Sequence, residues 1–222
     1  MSAEVLIARC GTVSYAEGLR VQRRLQEQRQ QSLVPDVLLL LEHPPVYTRG
    51  RRSRPEELPM GAAWYEAQGI EVVDTDRGGL VTYHGPGQLV AYPIVHLGPY
   101  GDDVQRFVRG LERVIVESLA AHGVRARTRE GLTGVWVEER KIASIGLHVS
   151  RGVTTHGLAV NVNNDLQPFE WVVPCGIEGV SMTSLARELG AEQDLDAFAG
   201  TLVATYADVF DREPVARDSV AA

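Results

Sequence analysis

Apolar residues along this chain recur as short continuous runs, in alternation with polar residues, and once as a long stripe at helical spacing. Residues 4–10 (EVLIARC) and 36–43 (DVLLLLEH) predict strands, the second stopped by Pro44 and Pro45. An unbroken run such as VLLLL suits a strand covered on both faces, as at the centre of an α/β sheet. Residues 69–75 (GIEVVDT) and 88–95 (QLVAYPIV) predict two more strands. SYAE at 14–17 has capping-box spacing and opens a polar helix running to about Gln31. The stripe lies within 102–122, where Val104, Phe107, Val108, Leu111, Ile115 and Leu119 share one helical face between an acidic start and Gly123.

Beyond that helix the period changes to two. VRART, GVWVEE, KIASIGLHVS and THGLAVNVN read as an antiparallel set with a hairpin turn near residues 138–140. Helical patterns return at 184–189 and from 194 to about 210, and the tail REPVARDSVAA (212–222) is expected to fray. With no repeat, linker or low-complexity segment, this order predicts an α/β (α+β) fold: one domain over 1–222, a mixed β-sheet flanked by helices.

Composition narrows the function. At 222 residues with 44% hydrophobic and 23% charged residues, the chain can bury a full core. No run of about 18 apolar residues exists, and the start has no basic and apolar signal, so a cytoplasmic protein is expected. A net charge of −7 argues against a general nucleic-acid binder. Two cysteines, Cys10 and Cys175, are too few for a disulfide framework and lack zinc-site spacing.

Four stretches carry candidate chemistry. Residues 76–93 (DRGGLVTYHGPGQLVAYP) hold four glycines that allow a ligand to lie against backbone, yet the stretch matches neither a Walker loop nor a dinucleotide fingerprint, and tight turns between strands would read the same. His84 within it either faces a ligand or holds backbone carbonyls. Cys175, between Pro174 and Gly176, reads either as an inert thiol or as a loop nucleophile activated by nearby amides, whereas Cys10 in an apolar strand reads as a small hydrophobe. Lys141 is the only lysine among 22 Lys and Arg. A guanidinium stays charged at working pH while an ammonium can deprotonate, so this lysine is either a chance survivor at a hairpin or a base for the thiol. The small residues of SIG (144–146) and GLA (157–159) either line an apolar slot or serve close strand packing.

Together, RGGLVTYHGPGQLVAYP, KIASIG, THGLAVNVNNDL and PCGIEGVSMTSL resemble the lipoyl(octanoyl) transferases, in order and over most of the chain. The resemblance implies the catalytic fold of biotin and lipoate protein ligases. It implies octanoyl transfer from octanoyl-acyl carrier protein to a lysine of lipoyl domains, in 2-oxoacid dehydrogenases and the glycine cleavage H protein, as the first step of endogenous protein lipoylation. It assigns Cys175 as the acyl-thioester residue and Lys141 as its base. Around the acyl group it places Arg77, Gly78, Gly79, Leu80, Val81, Thr82, Tyr83 and His84, with Ser144, Ile145, Gly146, Gly157, Leu158 and Ala159. No cofactor, metal, nucleic acid or membrane is implied. Eight carbons at ~0.8 kcal/mol per buried CH₂ give several kcal/mol for chain selection in an apolar slot. The Arg-rich 48–54 (TRGRRSR) is either a solvated loop or a steering patch for acidic partners, and its likeness to a ligase phosphate loop keeps an ATP-dependent lipoate or biotin ligase as the alternative.

Overall fold

The structure, a computed structural model, describes residues 3–172 and 181–217. Its main sheet has eight strands: β1 (Ala3–Thr12), β2 (Asp36–Glu42), β6 (Gln88–Ile94), β7 (Arg127–Arg129), β8 (Leu132–Val137), β9 (Arg140–Ser150), β10 (Val153–Asn161) and β11 (Arg212–Arg217). Their spatial order is β11-β1-β2-β6-β10-β9-β8-β7. β11, β1 and β2 run parallel, and every later neighbour is antiparallel, so the sheet is mixed as expected. A three-stranded sheet is made by β3 (Val46–Arg49), β4 (Glu71–Asp74) and β5 (Thr82–His84).

Helices cover both faces of the main sheet. α1 (Tyr15–Gln30) starts at Ser14, whose hydroxyl accepts from the Glu17 amide, and buries Tyr15, Gln22 and Leu25. Its apolar contacts reach Val37, Leu39, Val90, Tyr92 and Ala159 on one face. α3 (Val104–Ala121) and α5 (Leu195–Phe210) cover the other face, where Phe107, Leu111, Ile115, Phe198 and Leu202 meet Leu38, Leu40, Val135 and Val160. Alternation explains the division: successive residues of β2 and β6 face opposite helical layers, so both strands are apolar apart from polar end residues. The short α2 (Ala62–Ala67) and α4 (Leu185–Leu189) lie in connections.

Four elements depart from the sequence expectation. β3 and β5 sit beside prolines and glycines that mask a strand signal, and only tertiary pairing reveals them. α2 is too short for periodicity to register. Residues 212–217 are not frayed: they pair in parallel with β1, from Ala3↔Arg212 to Ala8↔Arg217, and Pro214 is tolerated because β11 is an edge strand. Val104 and Val108 leave the apolar core, since the first turn of α3 overhangs the cavity described next.

Candidate active site

β9 bonds to β8 only as far as the Val135↔Ala143 pair, and farther along it the Gly78 amide donates to the Leu147 carbonyl at 2.9 Å. Between them Ile145, by strand alternation, turns its amide and carbonyl toward an unfilled span of the ladder. A cavity of about 1000 Å³ occupies this break and continues across the sheet face beneath α1.

The loop from Thr75 to Val81 forms its lid. Arg77 donates to the Thr48 hydroxyl from Nε at 3.0 Å, and Val81 N–H donates to the buried Glu57 carboxylate at 2.9 Å. A Cβ on Gly146 would stand 2.9 Å from the Gly78 carbonyl, so glycine there lets the loop press directly on β9. The glycine-rich stretch is thus a fixed wall of the cavity.

Lys141, the only lysine, is 5% exposed and lines the cavity. Its Nζ lies 5.2 Å from the centroid of the Trp136 ring, its partner across β8 and β9. The Trp136 indole N–H is buried without a hydrogen-bond partner among the described residues. Gly134 makes the room: a Cβ there would sit 2.7 Å from Lys141 Cε and 2.6 Å from the Ala143 carbonyl, at φ +125°. Since the second clash is with backbone, Gly134→Ala is expected to lose about 2 kcal/mol or more of stability and to displace the lysine. Urea denaturation would show it, and a variant as stable as the parent would refute this packing.

Lys141 N–H donates to the Ser181 carbonyl, and the Thr183 amide donates to the Lys141 carbonyl, both at 2.9 Å. The chain that resumes after residue 180 therefore runs beside Lys141, six positions beyond Cys175. Cys175 itself lies outside the described residues. Cys10 is half-buried on β1, and burial raises its thiol pKa, as suits a small hydrophobe.

Of the other candidate residues, Arg77, Gly78, Gly79, Leu80, Val81, Thr82, His84, Ser144, Ile145, Gly146, Gly157, Leu158 and Ala159 all line this one cavity with Lys141. Tyr83 does not. On β5 alternate side chains point oppositely, and Tyr83 packs with Tyr47, Tyr65 and Phe169 in the core of the small sheet.

Sequence reasoning missed a buried ring cluster at the far end. Tyr15, Tyr92 and His156 join His84 in the lining, with His43 behind them. His156 N–H donates from Nε2 to Asp76 at 2.7 Å, leaving Nδ1 to accept from the Tyr15 hydroxyl at 3.4 Å. That donation pulls the Asp76 pKa down to about 2. His43 gives its Nδ1 proton to the Val13 carbonyl and accepts from the Tyr92 hydroxyl at 2.7 Å. His84 donates to Gln88, which in turn donates to Asn161. The visible signal was a histidine beside Gly157, placed at φ +58°.

Burial lowers the pKa of His43 to about 4 and of His84 to about 3, from 6.5. An unfolded imidazole takes its proton near pH 6.5, whereas in the folded protein these accept one only near pH 4 and pH 3. Stability is therefore full above pH 6.5 and falls as pH drops from there toward 4, by several kcal/mol at ~1.4 kcal/mol per pKa unit. Denaturation midpoints at pH 7 and 4.5 test this, and equal values would mean that the rings are not buried as neutral groups.

Residues 14–207 match the lipoyl protein ligase A/B catalytic domain family. The bipartite lipoate protein ligase of Thermoplasma acidophilum shares the fold, with a TM-score of 0.73 at 18% identity over 99% of this chain and 87% of that one. Nearer relatives narrow the class. An octanoyltransferase of Chloroflexus aggregans is 49% identical over 208 residues, 92% of this chain and 94% of its own. Another, of Solibacter usitatus, is 46% identical over 212 residues, 96% of each chain. The chain belongs to the octanoyltransferase family and is an acyltransferase.

Proposed function

We propose that the protein takes an octanoyl group from the thioester of acyl carrier protein onto Cys175 and delivers it to a lysine of a lipoyl domain, with Lys141 moving the protons. The observation that carries this reading is the buried Lys141 at one end of a long cavity, bonded on both sides to the chain that follows Cys175. In the first half, the neutral amine takes the thiol proton, sulfur attacks the donor carbonyl, the donor's C–S bond breaks, and the departing thiolate recovers the proton. In the second, the acceptor amine attacks the acyl-cysteine, gives its surplus proton to Lys141, and the cysteine leaves as thiolate. The thioester conserves the activation of the acyl group, so no ATP is consumed.

The exposed Arg52 and Arg54 stand at the cavity mouth, where acidic carrier and lipoyl domains would approach. We place this reaction in the cytoplasm, in keeping with described helices none of which is long and apolar enough to cross a membrane. The test is to incubate the protein with octanoyl-acyl carrier protein without ATP and weigh it intact. An octanoyl adduct mapping to Cys175 is expected. Modification only when ATP and free octanoate are supplied would favour a ligase instead.

A further inference from the structure

The cavity is open at one end and blind at the other. Arg52, Arg54, Gly131 and Thr133, at the open end, are exposed. At the blind end Tyr15 is 2% exposed, Tyr92 3%, His84 6% and His156 1%. The hydroxyls there are tied back, Tyr15 to His156 Nδ1 and Tyr92 to His43 Nε2, and Asp76 anchors His156 from behind. The Tyr15 ring stacks on His84 with centroids 6.2 Å apart and planes 14° from parallel. With its hydroxyl engaged, the tyrosine offers ring carbon to the slot, so an apolar tail can abut it without stranding a polar group.

Strand register gives the depth. Ser144 lies opposite Ala159, and three residues further Leu147 lies opposite His156. Three residues of antiparallel strand span about 10 Å. An extended eight-carbon acyl chain with bonds of about 1.5 Å is roughly 9 Å long. Gly146 and Gly157, paired between those two rows, put no side chain in the path.

We propose that Tyr15, held by His156 and Asp76, is the end wall of the acyl slot and sets the accepted chain length at about that of octanoyl. The inference rests on the acyl-transfer reading and adds the residue that measures the chain. Tyr15 thereby acts on specificity and takes no part in bond making. Opening the wall admits longer chains.

The experiment measures kcat/KM for carrier proteins bearing hexanoyl, octanoyl, decanoyl and dodecanoyl groups. At roughly fourfold per buried methylene, Tyr15→Ala is expected to raise the dodecanoyl-to-octanoyl ratio by about tenfold or more. Tyr15→Leu, a smaller loss from the same wall, is expected to raise the decanoyl-to-octanoyl ratio by about fourfold or more. A folded Tyr15→Ala protein with the parent's profile overturns the inference; should that variant not fold, an unchanged profile in Tyr15→Leu does so. A parent protein that forms no octanoyl thioester from any donor would instead refute the acyl-transfer reading, so the two failures are distinct. A purely structural role for Tyr15 would lower all four rates together and leave their ratios unmoved.

Discussion

Replacing Cys175 by alanine is expected to abolish acyl transfer, with a fall in turnover of about 10⁴-fold or more and no acyl adduct by intact mass. The described lining of the cavity offers no second thiol to take its place. The other cysteine is on β1, away from the lining residues, and no serine or threonine of the lining has a base within hydrogen-bonding contact in the described structure. Removing a covalent nucleophile commonly costs this much, because what remains is binding without bond exchange. Octanoyl-carrier binding should persist, measured by calorimetry, since the slot is untouched. Turnover within tenfold of the parent would show that the acyl group passes directly from donor to acceptor.

Lys141→Arg should fold and bind the donor while acylation slows by about 10²- to 10⁴-fold, the usual worth of a positioned acid or base. A guanidinium cannot give up its proton at working pH, so it cannot accept one from a thiol. Its planar head must also fit a recess walled by Trp136 and the Cβ-less Gly134. Lys141→Met separates the two effects: it keeps the length and removes both charge and basicity. Its acylation should recover as pH rises toward about 8.5, the ordinary value of a free thiol, where thiolate forms unaided. Single-turnover acylation measured from pH 6 to 9 decides the matter. Near-parent rates for the arginine variant would remove Lys141 from proton transfer.

Local patterns carried the long elements. α3 was legible because five buried apolar residues repeat at helical spacing, and the antiparallel set because its alternation survives three hairpins. Lys141 and the glycine-rich loop were legible through rarity and composition. What escaped depends on pairing between distant segments. Residues 212–217 have no strand signal and are ordered only by meeting β1 at the opposite end of the chain. Tyr15, Tyr92 and His156 come from α1, β6 and β10, and nothing local marks them as neighbours until the sheet order stacks those elements together. Tyr83 failed for a complementary reason. A motif read as a continuous string ignores the two-residue alternation of the strand it becomes, so within β5 Tyr83 faces away from the side shared by Thr82 and His84.

The solitary lysine has one more consequence. On the proposed reaction the protein repeatedly holds an acyl group reactive toward amines, and its own exterior is the surface nearest to hand. Every arginine or lysine side chain on that exterior is a guanidinium, too weakly nucleophilic to be acylated, while the one side-chain amine is folded away against an indole. Such a surface offers the cargo no side-chain amine, and the activated group is kept for an amine that arrives from outside.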